Sequence, residues 1–154
     1  MAVPYPPRPA FISSVIYRDN RAALKWLQNA FGFDVSEVLV DSKDNILHAE
    51  MTHRDGVVMV SNEFTDWARS PASVDGKNTQ RIHVRIEKDI DAHCQHARQA
   101  GATILMEPAD QFYGERCYVA VDLEGHHWTF SQPVRHVSKA QMEEATGFKY
   151  KTFE

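Results

Sequence analysis

Two cysteines, Cys94 and Cys117, are all that 154 residues hold. That is too few for a disulfide framework, so both are read as reduced thiols of a cytoplasmic protein. Basic charge is also scarce: 17 Lys and Arg stand against 21 Asp and Glu, a net −4 with neutral histidines. No basic footprint for nucleic acid results. No stretch approaches the roughly 18 apolar residues that a membrane helix needs. Glycine and proline, 7 each, are too few for a collagen-like or low-complexity chain. There is no G-x-G-x-x-G turn, no Walker loop and no serine elbow, which leaves nucleotide and hydride chemistry without support.

What is present is ordinary for a globular protein: 43% apolar and 25% charged residues. The length suits one domain, 1–154, burying roughly two-thirds of the surface that its unfolded chain exposes. The opening MAVPYPPRPAF, with four prolines, reads as an extended arm and not as a signal peptide.

The informative feature is an internal repeat. Gly32 closes one amphipathic run and Gly56 opens an apolar strand. Gly101 and Gly125 do the same again 69 residues later. In the first half Ile12–Tyr17 reads as a strand and Asp19 as the cap of a helix. Leu24, Leu27 and Phe31 share one face of that helix, and Gly32 stops it. Strands at Val35–Val40, Ile46–Thr52 and Val57–Ser61 follow. The second half repeats the pattern with a strand at Arg81–Ile86 and a helix from Asp89 that buries Ile90, Cys94 and Ala97. Its later strands are Thr103–Met106, Cys117–Asp122 and His127–Ser131, with a one-residue slip near Glu87 and Lys88. The expected architecture is α+β: two tandem βαβββ modules (about 10–62 and 81–132) joined by a linker, 63–80. They form a curved eight-stranded sheet around a central channel. In the tail, 133–154, Ser138 and Gln141 fit a capping box opening a short helix.

The run Tyr113-Gly114-Glu115-Arg116 followed by Asp122-Leu123-Glu124-Gly125-His126-His127-Trp128 resembles the signature of the vicinal oxygen chelate superfamily. That group holds the glyoxalase, bleomycin-resistance and extradiol-dioxygenase proteins. Tyr17-Arg18-Asp19, Ala23, Trp26 and Phe31-Gly32-Phe33 are similar to its first strand and helix. The resemblance implies a homodimer and, in metal-bearing members, one ligand from the first and one from the last strand of each module. Aligned on the starting Asp of the helix and on the Asp-x-x-Gly turn, those positions fall on Ile12, Val60, Arg81 and Thr129. None is a competent ligand for a divalent ion, so no metal and no other cofactor is expected.

Strand parity assigns the rest of the channel. Leu47, Ala49 and Met51 face the helix, which leaves His48, Glu50 and Thr52 inward. Ile82, Val84 and Ile86 leave Arg81, His83 and Arg85 inward, while Trp128 and Phe130 leave His127, Thr129 and Ser131. The expected role is binding a small organic molecule. Arg81, His83, Glu50 and His48 orient it, Ile12, Val60 and Val119 wall it, His127 and Thr129 line it, and Trp67 reaches over from the linker. Two alternatives stand beside this. One is a metal-dependent lyase, isomerase or dioxygenase using a displaced site of His48, Glu50 and His83. The other is metal-independent acid–base catalysis by Glu50 and His83. His93 and His96 are read as a solvated helix face, His126 as structural or at the surface, and Trp128 as core.

Overall fold

A computed structural model describes residues 7–153. The reading of the N-terminus as an extended arm falls partly on residues 1–6, outside the described residues. Residues 7–10 form no helix or strand.

Module 1 runs β1 (Ser13–Tyr17), α1 (Asn20–Phe31), β2 (Asp34–Val40), β3 (Ile46–His53) and β4 (Gly56–Asn62). Asp19 caps α1 by accepting the Ala22 N–H, and Gly32 ends it at φ 72°, a left-handed conformation that side chains disfavour. Module 2 runs β5 (Ile82–Arg85), α2 (Ile90–Gln99), β6 (Thr103–Asp110), β7 (Glu115–Val121) and β8 (His127–Pro133). The helix α3 (Lys139–Thr146) follows, with the Ser138–Gln141 capping box in place. The strand β6 runs past Pro108, which an edge strand tolerates because its outward N–H needs no ladder partner.

The eight strands form two four-stranded sheets, ordered β1-β4-β3-β2 and β5-β8-β7-β6, rather than one continuous sheet. In each, a parallel pair (β1 with β4, β5 with β8) is flanked by antiparallel neighbours. One face of each sheet packs under the helices into a single core. Phe31 at the end of α1 meets Trp128 and Phe130 of β8 at 5.7 and 4.8 Å between ring centres.

The helices also finish each other. Trp26 of α1 donates its Nε1–H to the Ala100 carbonyl at the end of α2 (3.0 Å). From α2, His96 donates to the Asn29 carbonyl (2.7 Å) and His93 to that of Phe31 (3.1 Å). Carbonyls of a helix's last turn lack partners within the helix, and here the other module supplies them. The pair His93 and His96 is therefore inter-module glue and not the expected solvated face. His93 is half-buried with Nδ1 2.6 Å from the Tyr118 hydroxyl. Burial holds its pKa below the usual histidine value.

Candidate functional site between the modules

Besides the helix contact, the modules meet at two places related by the repeat. At the first, the β7–β8 turn docks on the junction of β1 and α1. Glu124, buried, accepts the N–H groups of Arg18 (2.8 Å) and Asp19 (3.0 Å) and the Ser70 hydroxyl (2.6 Å). Asp122 accepts the Tyr17 hydroxyl (2.5 Å) and the Trp128 indole N–H (3.0 Å). Burial, and then the Asp122 carboxylate, push the Tyr17 phenol well above its ordinary pKa. His126 donates to the Ile16 carbonyl (2.7 Å), the structural role expected of it. The linker is tied to the same turn: besides Ser70, Asn78 donates to the Gly125 carbonyl and accepts the His127 N–H.

At the second place the β3–β4 turn approaches the junction of β5 and α2, and a cavity of about 360 Å³ remains. Phe33, Met51, Val58, Val84 and Trp128 supply its apolar wall, and His53, Arg54, His83 and Arg85 its polar side. That size and apolar character, with few polar groups, suit a small organic ligand. A second hollow of about 380 Å³ lies between the outer face of β1 (Ser14, Ile16) and the linker, edged by Phe64, Trp67 and Lys77.

Of the residues expected to face one channel, Thr52, His83 and Arg85 border the first cavity. Trp67, 79% exposed, belongs to the second hollow. His48 and Glu50 form a separate group on the helix-free face of β3. There the Glu50 Oε1 accepts the Arg8 guanidinium at 2.7 Å and lies 3.2 Å from the His48 Nε2. The hydrogen bond from Arg8 holds the Glu50 carboxyl below its usual pKa, so it stays an anion at neutral pH and is a weak base. His83 instead faces Glu115, with 4.0 Å between Nε2 and Oε2. Among the described residues no hydrogen bond or ion pair joins His48 or Glu50 to His83. Ile12 is half-buried ahead of β1, Arg81 is exposed ahead of β5, and Val119, His127 and Thr129 are half-buried on β7 and β8.

Val60 is a correction. It is fully buried in the core under the helices and walls no channel. The registers show why. Val15 pairs with Val60 in β1–β4, and Val84 with Phe130 in β5–β8. Val15 and Val84 lie 69 apart but Val60 and Phe130 lie 70 apart, because the β7–β8 turn (Leu123-Glu124-Gly125) has one residue more than the β3–β4 turn (Arg54-Asp55). Matching Gly56 to Gly125 hides that insertion. A one-residue slip moves a side chain to the opposite face, so the position equivalent to Thr129 is Met59.

The metal-bearing pattern then falls on Ile12, Met59, Arg81 and Thr129. A thioether and a hydroxyl are poor partners for a hard or borderline divalent ion, isoleucine offers no donor, and arginine brings a positive charge. The residues do not fit the four-ligand centre.

Three residues escaped the sequence reading. Arg8 sits in the arm, where no periodicity operates. Glu115 and Cys117 share the helix-free face of β7 with Val119 at two-residue spacing, a signal that was available.

The model of the Glyoxalase/Bleomycin resistance protein/Dioxygenase superfamily matches residues 11–130, and the chain belongs to that superfamily. The protein Rv0887c of Mycobacterium tuberculosis is 28% identical over 141 residues, which cover 89% of this chain and 82% of that protein. Among solved structures, TioX from Micromonospora sp. ML1 is 29% identical with a TM-score of 0.62, over 80% of this chain and 97% of its own. TnmS3, an antibiotic binding protein from Streptomyces sp. CB03234, is 17% identical with a TM-score of 0.60, over 86% and 98%, and shares the fold. No helix among the described residues is long and apolar enough to cross a membrane.

Proposed function

We propose that this chain binds a small, largely apolar organic molecule between its two modules and does so without the superfamily's four-ligand metal centre. The observation that carries the reading is the cavity of about 360 Å³ walled by Phe33, Met51, Val58, Val84 and Trp128, with His83 and Arg85 at its polar side. Aromatic and aliphatic walls reward burial of apolar surface at roughly 25 cal/mol per Å². The cationic and imidazole groups orient an acceptor or anionic substituent. TnmS3, an antibiotic binding protein, has the same fold. Acid–base catalysis by Glu50 and His83 draws no support from the geometry, since Glu50 is held by Arg8 and the two do not touch.

A homodimer in the cytoplasm belongs to the same reading. The dimer's support is the outer sheet edge, where Val38 and Leu39 of the edge strand β2 are 44% and 55% exposed and Leu47 of the neighbouring β3 is 61% exposed, an apolar strip at the open side of the sheet. Light scattering at micromolar concentration should return twice the chain mass, and a monomer would remove that part of the reading.

The test of binding uses 8-anilinonaphthalene-1-sulfonate, an anionic aromatic fluorophore. Saturable binding at one per module pair is expected, weakened at least tenfold by Ile82→Trp, which fills the cavity from its half-exposed edge. Binding indifferent to that change but lost in Trp67→Ala would move the site to the second hollow and overturn the assignment.

A further inference from the structure

On the helix-free face of module 2, His83, Glu115 and Cys117 bring an imidazole nitrogen, a carboxylate oxygen and a sulfur within 4.8 Å of one another. The strand β8 runs between β5 and β7, so side chains from the outer two meet only over small residues. Thr129, opposite His83, and Ser131, opposite both Arg85 and Cys117, leave that room. We infer that these three donors form a zinc-type divalent cation site, different in its ligands from the superfamily pattern that this chain lacks.

The donor set is appropriate. Zinc takes nitrogen, sulfur and carboxylate oxygen at about 2.0–2.3 Å, and three protein ligands leave a fourth position open. Such bonds in a tetrahedron separate donors by about 3.3–3.8 Å. The present spacing closes by about an ångström, within reach of a rotation of the His83 side chain, which is 54% exposed. The two oxygens of Glu115 are already divided: Oε2 faces His83 at 4.0 Å, while Oε1 faces the Arg85 guanidinium at 3.9 Å. Arg85 therefore orients the carboxylate from its far side and leaves Oε2 for the ion. Tyr113 places its hydroxyl 3.5 Å from the Cys117 sulfur, in reach to donate to the thiolate that a bound ion would create. Outer partners of this kind fix ligand geometry and tune affinity. On binding, the Cys117 S–H proton passes to solvent and the sulfur lone pair to the metal.

His83 also borders the inter-module cavity, so the open position of the ion lies beside the space proposed for the organic ligand. The inference goes beyond that reading and does not depend on it.

The full chain, stripped with chelator, is titrated with cobalt(II) alone. One equivalent should give a thiolate-to-cobalt charge-transfer band and visible bands of tetrahedral intensity, displaced by zinc. Cys117→Ser should abolish the charge-transfer band, and Cys94→Ser should leave it unchanged. His83→Ala, at an exposed position that folding does not need, should weaken binding at least tenfold. Absence of the thiolate band in the wild-type chain, or its survival at full affinity in His83→Ala, overturns the inference. Neither outcome bears on fluorophore binding.

Discussion

The two contacts between the modules descend from one repeated plan yet differ in what fills them. Where the β7–β8 turn meets α1, Glu124 and Asp122 gather backbone N–H groups, a phenol, an indole and a hydroxyl into a buried network. Where the β3–β4 turn nears the segment between β5 and α2, the ion pair given by the described residues is exposed, Arg54–Glu87 at 3.2 Å, beside a cavity. The His53 Nε2 there is buried without a hydrogen-bond partner among the described residues. A single extra residue in one turn separates the cases, since the longer turn supplies the carboxylate that reaches inward. One seam of this two-module protein is thus closed by hydrogen bonds, and the other retains a cavity.

Breaking the closed seam should cost most. Glu124→Ala leaves three donors unmatched and is expected to remove about 3 kcal/mol, lowering the melting temperature by about 6–12 °C. Tyr17→Phe deletes one hydrogen bond to a carboxylate that keeps its Trp128 partner, so about 1.5 kcal/mol is expected. Thermal unfolding followed by circular dichroism measures both, and equal losses from the two would contradict a shared network centred on Glu124.

Acid tests the helix contact between the seams. His93 has its pKa depressed in the folded state by burial, so the unfolded chain takes up the proton first. Stability should be full above about pH 6.5 and fall as pH drops from there through the lowered value. His93→Gln, which keeps both hydrogen bonds and cannot titrate, should flatten the fall in melting temperature between pH 7.5 and 5.5. Smallest of all is Arg54→Ala at the open seam, where an exposed ion pair contributes no more than about 0.5 kcal/mol. A loss comparable to that of Tyr17→Phe would mean that the open seam is not energetically slack.

Much of this architecture was legible beforehand because period and punctuation agree. Asp19 and Gly32 bracket α1, Ile90, Cys94 and Ala97 form the buried face of α2, and Ser138 with Gln141 opens α3. The site was less legible. Parity along a strand says which side chains share a face, and His48 and Glu50 do share one. It does not say whether two faces from different modules converge, and among the described residues Glu50 pairs with Arg8 and His48 while His83 faces Glu115. The misplacement of Val60 has a sharper cause: glycines at matching intervals concealed an inserted turn residue, and only hydrogen-bond register exposes it.

The exchange of partners at the tails of α1 and α2 bears on dissection of the chain. Trp26, His93 and His96 each satisfy a carbonyl at the helix end of the opposite half. A cut in the linker that let the halves part would leave those carbonyls without their present donors, so neither half is equipped to stand alone.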